Sequence, residues 1–381
     1  MQYVDDFRDP SLAKKLIASI ARELTTLPEP KKPLQVMEVC GGHTHTLFKY
    51  GILQLLPDSI EFVHGPGCPV CVLPTARLDE CIALAQQPDT IFCTFGDAMR
   101  VPGSDGSLLD ARARGCDIRM VYSPMDALLL AKDTPDKLVI FFALGFETTM
   151  PATAMTLLQA EKLQIENFKI FCQHITIMPT LTALLEQADV RIDGFLLPGH
   201  VSVITGTRPY QPLADNYHKP CVISGFEPLD MLHALLMLIA QFRDNRCAVE
   251  NQYTRAVTTN GSRNALQAMA QVFTSKDESE WRGLGMIKDS GIRLAPEYRR
   301  FDAEAKSGFL PQNPVMREKI PADEPGRCGD VLTGRCKPTD CPKFGQSCSP
   351  ENPTGALMVS SEGACAAYYH YSSAPITINQ Q

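Results

Sequence analysis

From Leu34 onward the chain keeps one rhythm. A short run of apolar, β-branched or aromatic residues ends in a Gly, His, Asp or Pro cluster, and many clusters lead into a helical stretch. The runs are LQVMEV, IEFVHG, IFCTFG, IRMVYS, LVIFFALG, FKIFCQ, GFLLPG and CVISG. Apolar runs of strand length that alternate with helical segments predict parallel strands covered by helices, an α/β fold. Ligands of such folds gather beyond the carboxyl ends of the strands. Here every strand exit carries polar or reactive residues: CGGHTH, GPGCPVC, GDAMRVPG, SPMDAL, GFETT, QH, PGHVS and GFEPLD in chain order. One crowded cleft is the expectation.

The triplet GFE recurs at Gly145–Glu147 and Gly225–Glu227, each time between a strand and a helix, which hints at two similar α/β halves. Before them, Asp9-Pro10 followed by SLAKKLIASIAREL supplies a cap, a first-turn proline and helical periodicity. After Arg243, NALQAMAQVF reads as a helix and WRGLGMIKDSGIRL as a hairpin or paired strands, and 305–325 is a Pro-rich polar linker. The expected organisation is a helix and linker over 1–33, an α/β domain over 34–130 and a second over 131–245. A smaller Cys-rich region over 246–381 completes it.

The chain has 381 residues and a net charge of −7, against the basic footprint that nonspecific nucleic-acid binding requires. The start MQYVDDFRDP has no cationic stretch leading into an apolar one, and the longest apolar run, about Met231–Ala240, is half of what a bilayer needs. A cytoplasmic protein is expected, with neither membrane nor nucleic acid as partner.

Against that background the 14 cysteines matter, because clustered thiols in a reducing compartment are more often metal ligands or redox groups than disulfides. Cys81, Cys93, Cys116, Cys172, Cys221 and Cys247 lie singly and read as small core residues. The last five are spaced Cys328-x7-Cys336-x4-Cys341-x6-Cys348-x16-Cys365, in a segment with too few large apolar residues for its own core. Four thiolates suit a structural zinc or an iron–sulfur cluster, and wide irregular gaps fit a four-iron cluster better than zinc's paired knuckles. Cys68 and Cys71 have the spacing of a redox dithiol before a helix start at Pro74, the alternatives being half a metal site or two buried thiols. Cys40 closes a strand, with Gly41-Gly42 behind it and His43 and His45 following. A thiolate near imidazoles suits iron, nickel or zinc, or a nucleophilic cysteine with a histidine base, or else a core cysteine beside surface histidines.

Glu147, Asp97, His174, His200 and Glu227 are the other strand-exit candidates, although Glu147 and Glu227 also suit a helix start. His64 reads as structural. No GxxxxGK[ST] loop and no GxGxxG after a strand occurs, which disfavours ATP and NAD.

Together, CGGHTH at Cys40–His45, GPGCPVCxxP at Gly65–Pro74, GFETT at Gly145–Thr149, PxHVSxxxG at Pro198–Gly206 and the terminal cysteines up to SSEGACAA resemble the HypD family of [NiFe]-hydrogenase maturation factors. The resemblance runs over essentially the whole chain. It implies a scaffold on which the hydrogenase iron receives two cyanides and one carbon monoxide, working with the small chaperone HypC and the cyanide donor HypE. The hydrogenase large-subunit precursor is an indirect partner. It implies two related α/β domains and a third region holding a [4Fe-4S] cluster on Cys328, Cys341, Cys348 and Cys365, with Cys336 spare. By the same resemblance Cys40 holds the nascent iron, and Cys68 and Cys71 relay electrons to it. Glu147, His43, His45 and His200 are the expected companions. The competing readings are an iron–sulfur oxidoreductase or lyase acting on a small molecule with Cys40 as nucleophile, and a binding module with a structural zinc.

Overall fold

The computed structural model describes residues 5–28, 32–305 and 326–371. All eight apolar runs are strands: β1 (Leu34–Glu38), β2 (Ile60–His64), β3 (Thr90–Thr94), β4 (Ile118–Met120), β5 (Leu138–Gly145), β6 (Phe168–His174), β7 (Gly194–Pro198) and β8 (Cys221–Ser224). A short β9 (Val249–Asn251) follows, and then a hairpin whose turn and second strand, β11 (Gly285–Leu294), fall in the segment expected to pair, whereas its first strand, β10 (Phe273–Trp281), lies ahead of that segment. The first nine form two wholly parallel sheets, ordered β2-β1-β7-β8-β9 and β4-β3-β5-β6.

The strands are not shared out in chain order. After β2 the chain crosses to the second sheet for β3 to β6, then returns to complete the first with β7 to β9. A border at 130/131 therefore does not separate the units. It cuts the helix Pro124–Asp133 and parts β3 from β5, which pair from Thr90↔Leu138 to Cys93↔Phe141. The physical reason is that parallel pairing needs only matching apolar faces, and β1 finds its second neighbour in β7, at Val36↔Gly194. A border at 245/246 likewise misses β9, which pairs with β8.

Side-chain alternation sorts each strand into two cores. Ile140 and Phe142 face a core shared with Phe92, Phe171, Phe195, Leu197 and Ile223 of both sheets. Val139 and Phe141 face a second core under the helices Pro124–Asp133 and Met150–Lys162. Val36, Leu196 and Val222 face a third, closed by the helix Pro228–Arg243 and by Leu16, Ile17 and Ile20 of the helix Pro10–Leu24. Asp9 starts that first helix by accepting from the Ser11 and Leu12 amides at 2.7 and 3.0 Å, as the Asp-Pro signal predicts.

The hairpin is a two-stranded sheet of its own beside β6, joined just past that strand by an isolated bridge of Ile175 with Gly291 and by the Thr176 amide, which donates to Ser290 O at 2.8 Å. The Cys-rich region has little regular structure beyond the helices Cys328–Leu332 and Ala364–Tyr371. Its Leu357, Met358, Val359 and Ala364 join the core shared by the two sheets, so the segment borrows packing that it could not build alone. No described helix is long and apolar enough to cross a membrane.

Candidate thiol site at the strand ends

β1 delivers Cys40 to the start of the helix Gly41–Lys49, where its sulfur accepts from the Gly42 amide at 3.3 Å. Cys40 is 2% exposed, and its Sγ lies 3.5 Å from His200 Nδ1 at the end of β7. Burial, and then the nearby Glu362 and Glu38 carboxylates, push the Cys40 thiol well above its ordinary range. Burial, reinforced by the neighbouring His43, pulls His200 down to about 4. Thiol and imidazole are therefore both neutral at pH 7, a pair with one S–H proton and one free ring nitrogen.

The loop of Cys68 lies against the loop of Cys40. Gly67 makes this possible: a Cβ there would overlap the backbone of Val39 and Cys40. Cys68 and Cys71 are closed into a disulfide with a Cα–Cα distance of 5.3 Å. A cavity of about 450 Å³ opens beside the disulfide, lined by Cys68, Asp97, Phe146, Thr149, His200 and Glu362. A second cavity, of about 370 Å³, adjoins across His200 and Glu362 and is lined by Gly42, His45, Arg8 and Glu227. The strand-end cleft expected from the chain's rhythm is thus formed, with residues of both sheets and of the tail around it.

The remaining candidates divide. His43 is buried, stacked on Phe226 at 5.1 Å, with Nε2 3.3 Å from Ser224 O and Nδ1 unpartnered. Phe226 carries His200 on its ring as well, also at 5.1 Å, so the second GFE triplet supplies the aromatic wall of the site. His45 lines the outer cavity and meets Tyr371 edge-on. Glu227 caps the helix Pro228–Arg243 and holds Arg8 at 2.8 Å. Glu147 is buried, accepts the Ile177 amide at 3.1 Å with one oxygen, leaves the other unpartnered, and is raised to about 7 by that burial. His174 is a core residue satisfied by Gly145 O and Thr153 Oγ1 at 3.3 and 3.1 Å, away from the cleft.

Sequence reasoning missed Glu38 and Glu362. Glu38 is fully buried and accepts from the Cys40 amide at 3.0 Å, from His64 Nδ1 at 2.7 Å and from Thr44 Oγ1. Its signal was a lone acid inside the apolar run LQVMEV; His64 is structural in the sense that it partners this acid. Glu362 stands where a Cβ on Gly41 would have to go, which ties the tail to the Cys40 turn.

Four tail cysteines, Cys328, Cys341, Cys348 and Cys365, line one hollow of about 280 Å³. Cys336 lines a different one, with His64 and Tyr368. A Cβ on Gly355 would sit 2.6 Å from Cys328 Sγ, so the glycine leaves room over the sulfur. Burial is the first cause that raises the Cys328 and Cys365 thiols, followed by the other cysteines of the set. Among the described residues the side chains surround the space and are not drawn together at ligand distance.

The arrangement defines an α/β protein of two interleaved parallel sheets with a buried cysteine and a disulfide loop in contact at the strand ends. The profile named HypD, described as the "Hydrogenase formation hypA family", matches residues 11–372. The chain is 55% identical over 372 residues to the hydrogenase maturation factor HypD of Escherichia coli K12, covering 97% of this chain and 98% of that one. It is 52% identical over 377 residues to the factor of the same name from Rhodobacter capsulatus, covering 98% and 99%. It is 49% identical over 378 residues to HypD2 of Bradyrhizobium diazoefficiens, covering 97% of each. The chain belongs to the HypD family.

Proposed function

We propose that this chain serves hydrogenase maturation as the scaffold on which iron acquires cyanide and carbon monoxide. Cys40 is the thiolate that holds the iron, and a thiolate of a HypC-type chaperone completes the grip. A HypE-type protein supplies the cyanide, and the hydrogenase precursor receives the finished fragment. The observation that carries this reading is the contact of the Cys40 loop with the Cys68–Cys71 loop through Gly67, beside a cavity shared with His200.

The iron cargo must displace the Cys40 proton, and His200 Nδ1 at 3.5 Å is the neutral acceptor within reach. A bound cation inverts the local preference, because a coordinating thiol is deprotonated outright. Soft thiolate ligation suits low-spin iron carrying cyanide and carbonyl. Incomplete ligation by this chain leaves the cargo transferable. Releasing cyanide from a thiocyanate carrier consumes two electrons: R–S–CN + 2 e⁻ → R–S⁻ + CN⁻. A Cys68/Cys71 dithiol closing to its disulfide supplies both electrons and sheds two protons.

The hollow lined by Cys328, Cys341, Cys348 and Cys365 suits a resident [4Fe-4S] cluster: four cysteines of one region surround it and Gly355 keeps a Cβ away from Cys328. Bound there, such a cluster would relay electrons one at a time from an external low-potential electron donor, two of them with two protons being needed to restore the dithiol. Because burial keeps the Cys328 and Cys365 thiols protonated, loading must release protons and weakens as pH falls.

The test is infrared spectroscopy of the chain co-expressed with its chaperone partner. Cyanide and carbonyl stretches are expected in the unmutated protein and absent in Cys40→Ala. An unmutated protein without such bands, purified anaerobically and iron-loaded, refutes the scaffold reading.

A further inference from the structure

Two arginines line the four-cysteine hollow, and only one of them has an acid for a partner. Arg327 is half-buried and pairs with Asp330 at 2.9 Å. Arg282 sits at the turn between β10 and β11, and no carboxylate lies within ion-pair distance among the described residues. Its Nη2 donates to Pro102 O at 3.0 Å and to Thr75 Oγ1. Its Nη1 is shut off from solvent and has no partner among the described residues. Lys343 also lines the hollow.

The position of that guanidinium is set from both sides. The Arg282 amide donates to Val72 O at 2.7 Å, one residue beyond Cys71. Gly283, next in the turn, packs against Gly329, one residue beyond Cys328, and a Cβ on either would strike the other. The turn thus stands between the disulfide loop and the hollow, and Arg282 is the charged residue it contributes to the lining. An unpaired guanidinium out of water is costly and persists where a negative group completes it. Cys328 and Asp79 are the ionisable groups that act on Arg282. Asp79 is already committed to Ser104, whose amide it accepts at 2.8 Å.

We propose that Arg282 is the counter-cation of the centre held by Cys328, Cys341, Cys348 and Cys365. It offsets the negative charge of the thiolate-ligated centre and raises the centre's readiness to accept an electron. The inference rests on the reading of that hollow as a cluster site. Net charge and hydrogen bonds to the sulfurs are the levers by which a protein sets such a potential. Because the same turn also holds the Cys68–Cys71 loop, it fixes donor and acceptor groups in one rigid element.

The experiment is a redox titration of the anaerobically purified full chain followed by electron paramagnetic resonance, with iron and sulfide content and the rate of iron loss to a chelator measured alongside. Arg282→Gln is expected to weaken the centre's hold on its electron about tenfold, a shift of about 59 mV for a one-electron couple. It is also expected to speed iron loss. Arg282→Lys keeps the charge and should recover most of both effects, while Arg327→Gln, which removes a solvated and already paired charge, should leave the potential close to the unmutated value. A loaded chain whose potential is the same in Arg282→Gln overturns this proposal and leaves the cluster reading intact. An unmutated chain that holds no iron and sulfide overturns the cluster reading, and this one with it. If Arg282→Gln does not fold, an unshifted potential in Arg282→Lys together with a full shift in Arg327→Gln overturns it instead.

Discussion

Two buried carboxyls show how neighbours decide what one residue type does. Glu38 is fully buried, and the Cys40 amide, Thr44 and His64 all donate to it. Truncating it strands three donors, and breaking a buried hydrogen-bonded pair costs about 3–5 kcal/mol. Glu38→Ala is expected to lower the unfolding free energy by that amount in a urea titration, and Glu38→Gln by less, since an amide oxygen still accepts. A loss under about 1 kcal/mol in Glu38→Ala would mean that the carboxylate does not hold the Cys40 turn. Glu147 has one amide partner and an empty second oxygen, and burial raises it to about 7. The folded state therefore binds a proton that the unfolded chain releases near 4.5. The stability contributed is complete below that pH and is lost as pH rises toward 7, by roughly 3 kcal/mol. His174 and His200, both held to about 4 by burial, act in the opposite sense, losing stability as pH falls below 6.5. The difference between the unmutated chain and Glu147→Gln isolates the carboxyl. It should narrow between pH 7.5 and pH 5 in paired urea titrations of a chain whose protonated carboxyl resembles the amide. A constant difference would show that Glu147 is already ionised when folded.

Between elements, the decisive contact is the one in which Gly67 lies on the backbone of Val39 and Cys40. Overpacking of this kind costs about 1–3 kcal/mol. Gly67→Ala is expected to lose that much stability and, on the scaffold reading, to reduce the iron that Cys40 would hold, whereas Gly326→Ala, with nothing within 4 Å among the described residues, should stay within about 0.5 kcal/mol of the parent in the same urea assay. Equal effects from the two would dissolve the special role of this contact. The eight parallel strands and the first helix were legible because each is announced locally, by apolar runs or a cap, whereas of the hairpin only the turn and β11 were, the polar run of β10 giving no strand signal. The grouping of strands was not, because β1 beside β7 is a choice between distant segments that share no local mark. The same distance hid the stack of His43, Phe226 and His200, which exists only once β7 and β8 lie next to β1. Cysteine spacing marked all five tail cysteines, the resemblance singled out four, and those four line one hollow that leaves Cys336 outside. Arg282 carried no such signal, since a charged residue in a hairpin turn ordinarily faces water.

For the molecule as a whole, the interleaving of the two sheets has a consequence that a simple tandem pair of domains would not have. A chain ending at residue 130 keeps β1 and β2 of the first sheet but lacks β7, the other neighbour of β1. It keeps β3 and β4 of the second but lacks β5, which pairs with β3 along four residues. Each half-sheet then exposes one face or edge that is fully buried in the whole chain, including Val36, Met37, Phe92 and Cys93. Two strands with their apolar faces uncovered are not independently stable in water. The fragment 1–130 is accordingly expected to show no cooperative urea transition and to bind a hydrophobic dye, and co-expression with 131–381 should restore a cooperative unit. Pairing of β1 with β7 must wait for the whole inserted sheet to be made, a non-local closure of the kind that slows folding. Refolding of the full chain should therefore be slower than formation of its helical signal measured by stopped-flow circular dichroism. A fragment 1–130 that unfolds cooperatively by itself would show that the half-sheets stand alone, and that the return of β7 to β1 adds the strand-end site without being needed to build the fold.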